Sequence, residues 1–231
     1  MILYRYFNLQ YGVDVLQSGM WKIGRLRELN DPLDCQPSII FAGDKKQDAE
    51  STKGWLEQIQ NEYGVLCYSA KITDPVIWSH YADRHTGIAL GFEADYSVAN
   101  YEVMKYQNSR RKITLKEITR TSLFPTRAQY IANTISKGFT VKAESWGYEE
   151  EYRSFIELDR CEMRGTHYFF PIRKEHLKQV VLGVNCSLSK EDIFRVLVRG
   201  GYSPKVEVSR CFPSDSTFTL NLDTTLRPRS P

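Results

Sequence analysis

Trp146-Gly147-Tyr148-Glu149-Glu150-Glu151-Tyr152-Arg153-Ser154-Phe155 sets three consecutive carboxylates inside an aromatic run. The aromatic content favours a β-strand over residues 148–155 rather than a helix. Strand side chains alternate between faces, so Glu149, Glu151 and Arg153 would share one face. Tyr148, Glu150, Tyr152 and Ser154 would take the other. Two carboxylates and a guanidinium on one face of a half-buried strand are costly unless they pair or meet a ligand. Two readings are open here: a charged ladder on a solvated sheet surface, or a Glu-x-Glu strand in an active site.

Outward from this strand, the chain alternates short strands with helices. Residues 2–7 open as a strand, and Asn8 can cap a helix that ends at Ser18-Gly19. Strands are expected at 20–24, 38–41, 64–70, 87–92, 101–106, 166–171, 179–184 and 205–209. The Asn30-Asp31-Pro32 sequence marks a turn. Residues 43–51 are polar and read as a loop before a helix over 55–63. Thr73-Asp74-Pro75 reads as a helix start, Ser187 or Ser189 as the cap of a helix over 188–198, and 107–137 as mostly helical and partly basic. With no repeat and no Ser/Gly-rich linker, the expected fold is a single α+β domain over 1–225 with a flexible tail at 226–231. Its sheet should be mixed or mainly antiparallel, with flanking helices.

The 231 residues carry 31 basic and 28 acidic side chains, a net charge of +3 that does not announce a nucleic-acid binder. The basic groups Arg110-Arg111-Lys112, Arg120 and Arg127 read as a solvated helix face. No apolar stretch is long enough to cross a bilayer, and the first residues carry no signal segment. Five cysteines (Cys35, Cys67, Cys161, Cys186 and Cys211) are widely spaced without a C-x-x-C pair. These features lead to the expectation of a cytoplasmic protein without a membrane partner and without a bound metal.

Trp78-Ser79-His80-Tyr81 and the following His85 form a second concentration of chemistry. His80 would sit at a helix C-terminus, where a protonated imidazole is favoured. Tyr4-Arg5-Tyr6 alternates in the first strand, so either the tyrosines pack inward and Arg5 faces out, or Arg5 is aimed into a cleft. Asn30, Asp31 and Asp34 bracket a proline turn, where they commonly cap local backbone. A serine elbow, a P-loop and a G-x-G-x-x-G are missing, which removes the ordinary hydrolase, NTPase and Rossmann readings.

In order, Tyr4–Tyr6, Gly19, Asn30 to Asp34, Trp78 to Ile88 and Tyr148 to Arg153 resemble the motifs of a bacterial domain-of-unknown-function family, up to about residue 184. At one remove, the opening strand, Asn8-Leu9, helix, Gly19 and next strand look like the start of ADP-ribosyltransferase domains, including the DNA-modifying toxins of toxin–antitoxin pairs. That resemblance implies a split sheet and NAD as substrate. Arg5 would hold NAD, Trp78 or Tyr81 would stack the nicotinamide, and Glu149 or Glu151 would activate the acceptor. Tyr68-Ser69-Ala70 is only a partial counterpart of the Ser-Thr-Ser strand of that superfamily.

The expectation that follows is an NAD-consuming ADP-ribosyltransferase-like enzyme, a toxin or anti-phage effector with a nucleic-acid or protein acceptor and an antitoxin partner. Its catalytic candidates are Glu149, Glu151 and His80. Its binding candidates are Tyr4, Arg5, Tyr6, Asn30, Asp31, Trp78, Tyr81, His85 and Arg153. Arg5, His80, Tyr81 and the two carboxylates should converge on one cleft. A non-enzymatic nucleotide- or partner-binding sensor is the alternative. A Mg²⁺-dependent nuclease using Asp31, Asp34 and the glutamates ranks behind it.

Overall fold

A computed structural model of the chain describes residues 1–40, 45–94, 101–114, 133–136 and 138–223. The strands are β1 Ile2–Phe7, β2 Met20–Arg25, β3 Ser38–Ile40, β4 Tyr63–Ser69, β5 Ile88–Glu93, β6 Glu102–Val103, β7 Lys105–Gln107, β8 Lys112–Thr114, β9 Val141–Ala143, β10 Glu151–Glu157, β11 Glu162–Arg164, β12 His167–Pro171, β13 Leu177–Leu182, β14 Glu207–Pro213 and β15 Leu220–Asp223. The helices are α1 Leu9–Ser18, α2 Lys45–Glu62, α3 Pro75–Tyr81 and α4 Lys190–Arg199.

Helix boundaries follow local chemistry. Asn8 accepts a bond from the Tyr11 N–H, and Gly19 closes α1 at φ +66°. Asp74 accepts from the Val76 and Ile77 N–H groups ahead of α3, with Pro75 in the first turn. Ser189 and Asp192 form a reciprocal capping box on α4.

The fold is α+β. Its main sheet runs β11-β12-β2-β4-β1-β5-β13-β14-β15, with β10 added to β4 and β6 to β10. Pairing is antiparallel throughout except between β13 and β14. Two small parallel pairs, β3–β8 and β7–β9, stand beside it.

The sheet forks at β4. One edge pairs with β10 along its whole length, from Glu151↔Ser69 to Glu157↔Tyr63. The other edge meets β2 at Gly64 and Val65 and β1 at Ser69. Between them, Leu66, Cys67 and Tyr68 face no registered strand on that edge among the described residues. The Arg5 guanidinium stands at this gap, 4.7 Å from the Trp21 ring centroid, 5.4 Å from Phe7 and 5.7 Å from Tyr68.

Alternation along the strands sorts the core onto two faces. Leu3, Leu66, Leu90 and Val180 pack with Leu16 of α1 and with Ile193 and Leu197 of α4. On the opposite face Tyr4, Ala89 and Val181 pack with Trp78 of α3, while Val65 packs with Trp55 and Ile59 of α2.

Several expected boundaries differ. The strand expected from 148 begins at Glu151, because Glu144–Glu149 is a 3-10 turn and Glu150 turns the chain at φ +43°. Helix α2 starts at Lys45, inside the segment read as a loop: helix-forming residues there extend it without an apolar stripe. Lys112–Thr114, read as helical, is a strand parallel to β3. Strands β9, β11 and β15 were not anticipated. Of the rest of the segment expected as helical, 107–111 are not helical, 133–136 are helical, and 115–132, with Arg120 and Arg127, lie outside the described residues, as does the 226–231 tail.

Candidate functional site

Five charged side chains from separate segments meet beneath β4 and β10. Arg153 spans two carboxylates: Nη1 and Nη2 donate to Asp34 Oδ1 and Oδ2 at 2.9 and 2.6 Å. Its Nε and Nη2 donate to Glu151 Oε1 and Oε2 at 2.7 and 3.0 Å. Lys142 of β9 donates to Glu149 Oε2 at 2.5 Å and to Glu151 Oε2 at 3.1 Å, and it lies 3.9 Å from Asp34 Oδ2. All five are buried, Arg153 at 1% exposure and Lys142 at 6%. The second Glu149 oxygen accepts from the Tyr81 hydroxyl at 2.5 Å, and Asn30 Nδ2 donates to that hydroxyl at 3.1 Å.

Local structure brings each group in. Asp34 follows the proline turn, where Asp31 Oδ1 accepts from the Leu33 N–H and its carbonyl from the Asp34 N–H. The 3-10 turn carries Glu149 past the end of β10. There the Ser69 hydroxyl donates to the Glu149 carbonyl, and the Ala70 N–H to that of Glu150. Glu149 therefore stands beside Glu151, as alternation implied, but by a turn and not by strand pleating. Tyr106 accepts from the Glu151 N–H at 2.7 Å.

The two glutamates have opposite proton affinities. Burial works against ionised Glu151, yet the Arg153 guanidinium and the Lys142 ammonium outweigh it and hold its carboxyl down to about 2. Burial wins at Glu149 and leaves its carboxyl above the ordinary range, although Lys142 and Tyr81 both pull it down. Burial also favours a neutral Lys142, but Glu151 and Glu149 keep it charged and raise its pKa. Three carboxylates against two cations leave one negative charge too many, and of the two glutamates Glu149 is the one that takes a proton first. Burial raises the Cys67 thiol well above its ordinary value, so this cysteine stays a neutral thiol.

This network forms part of the wall of a cavity of about 200 Å³. Of the candidates named from sequence, Tyr4, Arg5, Tyr6, Asn30, Tyr81, Glu149, Glu151 and Arg153 line it. Arg5 lines the cavity, as the second sequence alternative has it, but from an unexpected place. It lies on the face opposite Tyr4 and Tyr6, held between rings at the fork, and its Nη1 is buried with no hydrogen-bond partner among the described residues.

Four candidates do not line the cavity. His80 is exposed, stacked with Tyr148 at a centroid distance of 6.5 Å and tilted against Trp146 at 6.1 Å. Trp78 is fully buried core, with Nε1 donating to the Ile72 carbonyl. His85 sits in a turn at φ +69°. Asp31 serves its turn and lines a separate cavity. Sequence reasoning missed Lys142 and Cys67, named Ser69 only within a partial counterpart of the Ser-Thr-Ser strand, and assigned Asp34 only to a turn or a metal. A lone lysine in Val141-Lys142-Ala143 gives no periodic or motif signal.

Residues 77–154 match the family model described as Protein of unknown function (DUF2971). The match runs from α3 into β10, and so takes in Tyr81, Lys142, Glu149, Glu151 and Arg153. It supports the domain-of-unknown-function resemblance over that stretch, and its description assigns no activity. No curated protein and no solved structure matches the chain. No helix among the described residues is long and apolar enough to cross a membrane.

Proposed function

We propose that the chain is an NAD-consuming enzyme of the ADP-ribosyltransferase type, with Glu149 as the carboxylate at the reacting bond. One observation carries this: a single cavity is lined by a carboxyl of raised proton affinity and by the side chain of Arg5. Breaking the nicotinamide–ribose bond sends its electron pair to the nicotinamide and leaves oxocarbenium-like charge on the ribose carbon. Ionised Glu149 stabilises that charge and then accepts the proton of the attacking acceptor. Tyr81 and Lys142 each hold one of its oxygens, which fixes the carboxylate plane. The rings of Tyr4, Tyr6 and Tyr81 offer an aromatic wall, and the Arg5 side chain adds a positive charge to the lining that suits a phosphate oxygen. At about 200 Å³, the cavity is below the roughly 300–1,000 Å³ of sites for drug-sized ligands. It would hold the nicotinamide end, with the remainder of the dinucleotide at its mouth.

Glu151 has a different part. Its oxygens are committed to Arg153 and Lys142, so it positions the wall and does not touch substrate. His80, outside the cavity, takes no part in bond cleavage. The nuclease reading is not carried forward, since Lys142 and Arg153 sit on the carboxylates that a divalent cation would need. In a toxin or anti-phage effector, an antitoxin would have to close the cavity mouth.

The experiment is nicotinamide release from NAD by the purified chain, alone and with a cellular protein or nucleic-acid fraction, with labelled ADP-ribose followed in parallel. Release or transfer is expected. Protein that neither binds NAD nor releases nicotinamide under any of these conditions overturns the proposal. The sensor reading then takes its place, because the paired Asp34–Arg153–Glu151 network is the structural arrangement it requires.

A further inference from the structure

The face of β4 and β10 turned away from the charge network carries a second, larger cavity of about 310 Å³. Strand alternation places it there. Leu66 and Tyr68 on β4 point away from Cys67, while Ser154 and Ile156 on β10 point away from Arg153. Its interior is built of rings. Trp21 meets Phe92 edge to face with centroids 4.8 Å apart, and Tyr68 meets Tyr101 in the same way at 5.6 Å. The buried Ser154 hydroxyl has no hydrogen-bond partner among the described residues and adds a polar point behind that wall.

The rim is cationic. Arg160 is exposed and lies over the Phe170 ring at 5.9 Å. Arg173 is exposed and makes no ion pair among the described residues. Glu93 is the carboxylate of the lining, and Lys178 neutralises it at 3.0 Å. Asp159 and Glu175, next to these groups in sequence, do not line the cavity. The mouth therefore keeps an excess of positive charge over an aromatic interior.

We propose that this second cavity binds a nucleoside monophosphate, its base among the rings and its phosphate on Arg160 and Arg173. Flat ring walls accept the face of a base, whichever base it is. Two guanidinium groups at the mouth suit phosphate oxygens, which they can meet in bidentate fashion. The volume falls within the range of small-ligand sites, roughly 300–1,000 Å³. This assignment does not rest on the role proposed for Glu149, because the two cavities lie on opposite faces of the sheet.

The test is calorimetric titration of the full chain with adenosine and uridine monophosphates, with adenosine and inorganic phosphate as separate probes. At least one nucleotide is expected to bind with Kd below about 1 mM. Charge reversal by Arg160→Glu with Arg173→Glu should weaken it about tenfold or more, while Glu149→Gln leaves it unchanged. Adenosine and phosphate should each bind more weakly than the nucleotide. Melting curves check that the variants fold, and Arg173→Gln alone is the milder substitute. Three results overturn the proposal: neither nucleotide binds, inorganic phosphate binds as tightly as the nucleotide, or binding survives the arginine exchanges and is lost in Glu149→Gln.

Discussion

Glu149 and Glu151 are two residues apart, border the same cavity and differ in what surrounds them. Glu151 has two cations on its oxygens, so Glu151→Gln takes from buried Arg153 and Lys142 the carboxylate that they share. Breaking a buried pair of this kind costs about 3–5 kcal/mol, to be read as a lowered urea midpoint or Tm. Its pH dependence follows from the same pairing. The folded carboxyl, held down to about 2, lies below the ordinary unfolded value of about 4.3. Its contribution is therefore complete above the unfolded value and is lost as pH falls through the folded one. Tm should decline from about pH 4.5 downward, with a smaller decline in Glu151→Gln; equal declines in the two proteins would contradict the pairing. Glu149 has the reverse signature. With its carboxyl above the ordinary range, the acid limb of any NAD turnover should lie above about pH 4.3, with rate rising as Glu149 ionises. A limb at or below that value contradicts its role. Of these charges, Glu149, Glu151 and Arg153 were legible as one constellation because their spacing is local. Lys142 was not, since its partnership depends on where β9 lies.

Among the elements, the turn between α3 and β5 is the tightest point near the site. Asp83, Arg84 and His85 all have positive φ, at 45°, 53° and 69°, a strained run for residues with side chains. Gly87 ends it against β1: a Cβ at this position would stand 1.9 Å from the Phe7 carbonyl oxygen and 2.9 Å from that of Ala82. Both obstacles are backbone and cannot swing aside. Gly87→Ala should cost at least about 2–3 kcal/mol, as a fall in the urea midpoint; a wild-type midpoint would mean that β1 and β5 can part more easily than their register suggests. Elements with local signals were legible in the sequence: Asn8 and Gly19 frame α1, Asp74-Pro75 starts α3, and Ser189 starts α4. The first turns of α2 and the strand β8 were not. The former lacks an apolar stripe, and the latter exists only because Ser38–Ile40 lies alongside it. Period-two alternation still sorted Glu151 and Arg153 from Tyr152 and Ser154 correctly, even though the strand begins after Glu149.

Across the whole molecule, the fork at β4 gives the sheet two working faces. One carries a charge network and a small cavity, the other an aromatic cavity with a cationic rim, and the Tyr68 ring borders both. Arg5 stands at the fork itself, where no single strand's pattern reveals it: the alternation of Tyr4-Arg5-Tyr6 leaves its direction open, and the gap between β1 and β2 decides it. The role proposed for Glu149 at the reacting bond has its control in the neighbouring residue. Glu150 carries the same carboxylate one residue away, but it is exposed and, among the described residues, paired with Lys71 at 3.2 Å. The deciding measurement is the rate of nicotinamide release from NAD by wild type, Glu149→Gln and Glu150→Gln, on proteins with matched melting curves. Loss of a general base costs roughly 10²–10⁴-fold, so Glu149→Gln should fall by that factor while Glu150→Gln keeps the wild-type rate. Equal rates in all three proteins would contradict the assignment.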